Sequence, residues 1–162
     1  MIAGIVAVEQ SQGIGYNGQM PWPHLTGDMK SFVRITTDKI VIMGSTTWKG
    51  LGKPLPNRIN VVISSKLQID AHFTFTDPVD AIKDLQERYP NKDIVIIGGQ
   101  VLYDSVKDLI SVYYVTEIDA DYECDKFFDL TYVKDHYPIV EELEFIEATE
   151  KTPSYTIKEY RK

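Results

Sequence analysis

The sequence predicts an α/β fold: a mostly parallel sheet of about eight strands flanked by helices. Three observations carry that expectation. Short β-branched runs alternate with stretches of helical periodicity. Two of the runs, Ile40-Val-Ile-Met43 and Ile94-Val-Ile-Ile97, are apolar throughout, which suits parallel strands covered on both faces. The last run, residues 154–160, alternates between apolar and polar residues, in the manner of a strand with one wet face.

The elements follow in order. The first strand spans Ile2–Val8. A glycine-rich stretch, Gly13-Ile-Gly15-Tyr-Asn-Gly18, comes next and reads as a mobile loop. Met29, Phe32 and Val33 mark the inward stripe of a first helix opened by Asp28. Strands are expected at 39–43, 60–64 and 73–75, the first ending at Gly44, where Ser45-Thr-Thr47 can start a helix. Asp77 can cap another helix with Pro78 at its first position, and Val79, Ile82 and Leu85 form its stripe. A strand at 93–97 leads into a helix over 99–109, with Leu102, Val106 and Leu109 on the buried side. A strand at 112–117 follows. Residues 144–148 and 154–160, joined through 149–153, close the chain as an antiparallel pair. No repeat or Pro/Gly/Ser-rich linker divides residues 1–162, so a single domain is expected.

Composition narrows the function. The 162 residues carry a net charge of −7, which argues against general nucleic-acid binding, since that needs basic patches. Among 17 Lys and Arg against 24 Asp and Glu, no basic stripe stands out. No apolar run approaches the roughly 18–20 residues of a membrane span. The first residues lack the basic region and cleavage site of a signal peptide. The one cysteine, Cys124, excludes an internal disulfide and a multi-cysteine metal site. A cytoplasmic monomer is the expectation, with no metal, nucleic-acid or membrane partner.

Ligands of open α/β sheets bind beyond the carboxyl ends of the strands, where glycines are informative. Gly13-x-Gly15-x-x-Gly18 matches the dinucleotide fingerprint literally. That motif must open a helix, yet Met20-Pro-Trp-Pro23 follows, and two prolines so close together prevent one. The junctions at Gly44 and at Gly98-Gly99 fit better, because each leads from an apolar strand into a helix start. Helix N-termini can bind phosphate without a basic residue. Tight turning alone would also explain either junction; two of them beside a glycine-rich loop favour a nucleotide. Asp28 is the most informative acid. It reads either as a surface cap or as a buried carboxylate facing an aromatic ligand between Trp22 and Phe32.

Met20-Pro-Trp-Pro-His-Leu25, Asp28, Phe32, Val41-Ile-Met-Gly44, Thr47-Trp48, Gly52-Lys-Pro-Leu-Pro-Asn-Arg58, Ile63-Ser-Ser65, Ile97-Gly-Gly-Gln-Val-Leu-Tyr103 and Tyr114-Val-Thr-Glu-Ile-Asp119 stand in an order that resembles the dihydrofolate reductase family over essentially the whole chain. The resemblance implies reduction of 7,8-dihydrofolate by NADPH, with hydride passing to pterin C6 and a proton to N5. It also implies binding of antifolates such as methotrexate or trimethoprim. Asp28 matches the acid that holds the pterin's amidine-like edge, Thr116 the hydroxyl bracing it, and Trp22 the aromatic residue that positions a water nearby. Ile5, Val6, Ala7, Met29, Phe32, Leu51, Leu55, Ile97 and Tyr103 match the walls around the substrate, and Arg58 the grip on its α-carboxylate. Ala7, Ile14, Gly15 and Met20 match positions around the nicotinamide. Gly44, Ser45, Thr46, Thr47, Ile97, Gly98, Gly99, Gln100, Val101, Leu102 and Tyr103 match the pyrophosphate and ribose site, with a cis peptide at Gly98–Gly99. Ile63, Ser64, Ser65 and Lys66 match the turn beside the adenosine 2′-phosphate.

Two departures stand out. Many relatives carry Arg or Lys after the glycine matching Gly44, where this chain has Ser45 and Thr46, so a weakened preference for NADPH over NADH is expected. One more residue also separates Trp22 from Asp28 than in many bacterial members. The remaining candidates carry less. His24, His72 and His136 read as surface or loop residues. Asp119-Ala-Asp-Tyr-Glu-Cys-Asp125 hints at a calcium loop, but Cys124 and Leu130 stand where glycine and glutamate are required, so a solvated acidic loop is expected. The rival readings are a pyrimidine reductase of riboflavin synthesis, which has no reason to keep both Asp28 and Arg58, and a nucleotide-binding module without turnover.

Overall fold

The computed structural model describes residues 1–66 and 70–162. Among the described residues, ten strands and five α-helices run in the order β1 (Ile2–Val8), β2 (Gly13–Gly15), α1 (Thr26–Thr36), β3 (Ile40–Gly44), α2 (Ser45–Leu51), β4 (Ile59–Ile63), β5 (Phe73–Phe75), α3 (Pro78–Arg88), β6 (Ile94–Gly98), α4 (Gln100–Val106), β7 (Val112–Ile118), β8 (Lys126–Phe127), α5 (Leu130–His136), β9 (Ile139–Ile146) and β10 (Tyr155–Arg161). Eight strands form one sheet in the order β5-β4-β3-β6-β1-β7-β10-β9, and β2 pairs with β8 in a separate ribbon. The chain divides into two compact units: Met1–Gly4 with Thr36–Ile110, and Ile5–Ile35 with Ser111–Lys162. No helix among the described residues is long and apolar enough to cross a membrane.

In the first unit, β3 and β6 are the apolar runs expected to be covered on both faces, and Ile40, Val41, Ile42, Ile94, Val95 and Ile96 are all buried. They pair in parallel, Ile40 with Ile94 through Ile42 with Ile96, and the register then slips so that Met43 meets Gly98. β4 and β5 extend the parallel ladder. α3 starts as the sequence predicts, with Asp77 Oδ2 accepting a 2.8 Å bond from Asp80 N and Pro78 in the first turn. Its buried residues are Ala81, Ile82 and Leu85. α4 buries Leu102, Tyr103 and Val106, but a 3₁₀ turn over Lys107–Leu109 ends it early and leaves Leu109 exposed rather than inward. The tighter winding of that turn rotates Leu109 off the stripe.

In the second unit, β10 runs antiparallel to both β7 and β9. β9 begins five residues before the predicted strand, and a bulge leaves Leu143 between Glu144, opposite Ile157, and Glu142, opposite Lys158. Seven of its eight residues are exposed. α5, absent from the sequence-based expectation, is capped by Asp129 Oδ1, which accepts from Tyr132 N at 2.9 Å.

The stripe of α1 also differs from expectation. Met29 and Val33 are each 43% exposed, while Ser31, Ile35 and Thr36 are buried and Phe32 is half-buried. The inward face runs through Asp28, Phe32 and Ile35, and Met29 and Val33 form the stripe about 100° further round the helix. The glycine-rich stretch is not loop throughout. Gly13 and Gly15 pair with Phe127 and Lys126. Tyr16-Asn-Gly-Gln19 then makes a two-residue turn, with Asn17 at φ 51° and Gly18 at φ 77°. Two successive positive φ values define the hairpin turn that Asn-Gly favours.

Candidate active site

Asp28 stands in the first turn of α1, where the prolines at 21 and 23 have ended and Thr26 opens the helix. Gly27 N donates to Tyr155 Oη at 3.0 Å, fixing the helix entrance on β10. From β7, the buried Thr116 donates its hydroxyl to Asp28 Oδ1 at 2.6 Å. Burial pushes the Asp28 carboxyl above its ordinary value, although the Thr116 bond and the nearby His24 pull the other way. An ionised carboxylate offers about four acceptor positions. One Thr116 bond therefore leaves capacity for a pair of parallel N–H donors. Phe32 lies one turn further along the same face of α1. Trp22 is buried with Leu25, Ile118, Tyr155 and Ile157, and Ala7 packs against that cluster. Ile5 and Ala7 share one face of β1 while Val6 points to the other, so Val6 offers only backbone beside them. Ile14 and Gly15 are half-buried, and Met20 is exposed. The Asp119–Asp125 segment, expected as a solvated acidic loop, fastens the glycine-rich hairpin. Asp119 accepts from Gln10 Nε2, Asp121 from Ser11 Oγ and Asp125 from Asn17 N.

The first unit gathers the other matching residues. The Gly98–Gly99 peptide is cis, and Gly98 adopts φ 123°, a conformation that favours glycine. A Cβ there would stand 3.4 Å from Tyr103 Oη and 3.5 Å from Thr47 Oγ1, and one on Gly44 would stand 3.8 Å from Gly98 O. The structure thus brings Gly44, Thr47, Gly98, Gly99 and Tyr103 together. Neither α2 nor α4 has a side-chain cap at its N-terminus. Ser45, Gln100 and Ile97 are half-buried, Thr46 and Val101 are exposed, and the Leu102 side chain is committed to the core. Lys66 N donates to Ser64 Oγ at 3.1 Å in a turn after β4 that leaves Ser65 and Lys66 exposed and Ile63 half-buried.

Arg58 is held by Nε donating to Pro56 O at 2.8 Å and Nη1 donating to Thr36 Oγ1 at 3.2 Å. Among the described residues it makes no ion pair, unlike a surface salt-bridge arginine. Leu51 and Leu55 are half-buried nearby in sequence. One organising residue escaped the sequence reading. Asn60, fully buried, accepts from Leu55 N at 2.9 Å and donates to Leu55 O and Arg58 O at 2.9 and 3.1 Å. Its signal was a lone amide inside the apolar run Ile59-Asn-Val-Val-Ile63. Asn60→Ala is expected to cost about 2–3 kcal/mol by orphaning buried backbone groups. Urea denaturation of the variant checks it.

These features define an α/β protein with a braced helix acid in one unit and a glycine-lined cradle in the other. The family model described as dihydrofolate reductase matches residues 1–162. A dihydrofolate reductase of Staphylococcus aureus (strain MSSA476) is 35% identical over 125 residues, covering 76% of this chain and 75% of that one. A viral dihydrofolate reductase of Saimiriine herpesvirus 2 (strain 488) is 37% identical over 154 residues, covering 85% and 72%. A solved structure of the Enterococcus faecalis dihydrofolate reductase, complexed with NADP(H) and RAB-propyl, superposes with a TM-score of 0.81 at 28% identity, over 99% of this chain and 95% of that one. The chain belongs to the dihydrofolate reductase family.

Proposed function

We propose that residues 1–162 act as one catalytic domain, monomeric and cytoplasmic, that reduces 7,8-dihydrofolate to 5,6,7,8-tetrahydrofolate with NADPH and so supports one-carbon metabolism and thymidylate synthesis. The observation that carries this reading is the carboxylate of Asp28, half-buried on α1 and braced by Thr116. Such a group matches the two parallel N–H donors of a 2-amino-4-oxopterin edge, and charge-assisted bonds strengthen where water is excluded. Its negative charge raises the basicity of the bound pterin, so that a water beside Trp22 can pass a proton to N5. In the second unit Ile5, Ala7 and Phe32 would line the rings, with Met29 adding exposed apolar surface on α1; in the first unit Leu51 and Leu55 are the matching apolar residues. Arg58 grips the α-carboxylate with its planar fork. Antifolates that carry a diamino edge take the same acid.

NADPH supplies the hydride when bound. The glycine cradle fits it, because a side chain on Gly98 would fill space beside Thr47 and Tyr103. Gly44, Ser45, Thr46, Thr47, Gly98, Gly99 and Gln100 would hold the pyrophosphate through backbone N–H groups and hydroxyls. Ser64, Ser65 and Lys66 would take the 2′-phosphate, and in the second unit Ile14, Gly15 and Met20 are the residues that match nicotinamide positions. With Lys66 as the cation of that turn, kcat/KM for NADPH is expected to exceed that for NADH by less than about 10³-fold, measured with dihydrofolate saturating.

A single assay tests the function. Loss of the near-ultraviolet absorbance of NADPH should require dihydrofolate and stop on addition of methotrexate. Oxidation with a riboflavin-pathway pyrimidine instead, or cofactor binding without turnover, would refute it.

A further inference from the structure

Glu9, at the end of β1, is the one carboxylate in the buried interior among the described residues, at 3% exposed. An ionised carboxylate is costly to bury unless hydrogen bonds replace its water. Here backbone N–H groups do so. Oε2 accepts from Ser11 N at 2.6 Å and Gly13 N at 2.8 Å, and Oε1 accepts from Tyr122 N at 3.3 Å. A turn-capping acid serves one local segment; this one ties the start of the glycine-rich hairpin to a segment more than a hundred residues away. Gly13 is packed against the same clasp. A Cβ on it would collide with Cys124 Sγ and stand 3.2 Å from Glu9 Cδ. Tyr122 in turn sets its ring edge-on to Trp22, with centroids 6.1 Å apart and planes at 65°. Asp119, Asp121 and Asp125 also bond the hairpin, but all three are exposed, where water competes.

We propose that Glu9 is a positioning residue for hydride transfer: its carboxylate fixes the base of the glycine-rich hairpin and, through Tyr122, the stance of the Trp22 indole. The proposal rests on the reductase function given above. Displacing a positioning group by a fraction of an ångström lowers the rate without weakening ligand binding in proportion.

Three variants separate reach from charge. Glu9→Asp keeps the charge but falls one methylene short. Glu9→Gln keeps the reach, and its amide oxygen can still accept from Ser11 N and Gly13 N, but its amide nitrogen then faces Tyr122 N, so the Tyr122 arm alone is lost. Single-turnover hydride transfer at saturating NADPH and dihydrofolate is expected to slow about tenfold or more in Glu9→Asp and Glu9→Ala. Both KM values should stay within about threefold, and Glu9→Gln, which keeps the hairpin arm, should slow transfer less than Glu9→Asp. In a Trp48→Phe background, Trp22 emission should shift in both Glu9→Asp and Glu9→Gln, since each loses the bond from Tyr122 N. Wild-type rates and emission in Glu9→Asp, or rates that merely track melting temperature across the series, would overturn the proposal. Should Glu9→Asp fail to fold, Gly13→Ala should slow transfer similarly, and Cys124→Gly should rescue it; no rescue overturns the proposal. A wild-type enzyme that leaves dihydrofolate unreduced overturns the functional reading instead, so the two failures are distinguishable.

Discussion

Asp28→Asn is expected to lower turnover at neutral pH by about 10²–10³-fold while leaving the protein as stable as wild type or more so. The stability half follows from the sign of the shift. Burial raises the Asp28 pKa above its ordinary value, so the folded protein holds this proton more tightly than the unfolded chain does. The stability Asp28 contributes is therefore full below its unfolded pKa and is lost as pH rises through its folded pKa. Near pH 7 the wild type carries a desolvated charge, which asparagine lacks, and Thr116 can still donate to the amide oxygen. The melting temperature of the variant should exceed that of wild type at neutral pH, and the difference should shrink on acidification. The turnover deficit should also narrow in acid, where solvent protonates the pterin without help from the carboxylate. Steady-state rates and thermal melts across pH check both halves. A variant with near-normal turnover at pH 7 would remove Asp28 from the mechanism.

Arg58→Leu is expected to raise KM for dihydrofolate about ten- to hundredfold with kcat little changed. On the proposed reading the α-carboxylate is held away from the reacting carbon, so a grip by Arg58 would contribute equally to ground state and transition state. A charge-assisted pair is worth about 1.5–3 kcal/mol, which sets that range. A dihydropterin lacking the glutamate should be reduced equally well by variant and wild type. Arg58→Lys should recover only part of the loss, because an ammonium cannot present a planar fork. If the truncated substrate suffers as much as dihydrofolate, Arg58 acts on the fold of its loop rather than on the tail.

Much of the fold was legible because single forces dominate it. β3 and β6 are apolar on both faces and buried on both, and α3 carries its own start signal in Asp77-Pro78. Where two patterns overlap, reading was harder. On α1, Met29, Phe32 and Val33 fit helical spacing, yet the buried stripe runs through Ser31, Phe32 and Ile35, and apolarity alone does not fix its phase. The Gly13-x-Gly15-x-x-Gly18 fingerprint overlaps the Asn17-Gly18 turn, although that pair is a strong hairpin signal. β9 went largely unread because its glutamates break any alternation.

In the site, Asp28 and Thr116 belong to elements 88 residues apart, yet they meet at 2.6 Å as the family resemblance implies. Asn60 and Glu9 were missed for a different reason. Their partners are backbone N–H and C=O groups, and every residue except proline presents an N–H, so no side-chain pattern announces the contact.

The bulged strand β9 carries a consequence for handling the protein. It ends the sheet with Ile139, Val140, Leu143 and Phe145 open to solvent, a row onto which another chain could add by strand pairing. Glu141, Glu142 and Glu144 lie among them, and like charges brought face to face would repel a second copy. Neutralising those three glutamates should promote self-association at high concentration and high salt, leaving the chemistry of each molecule untouched.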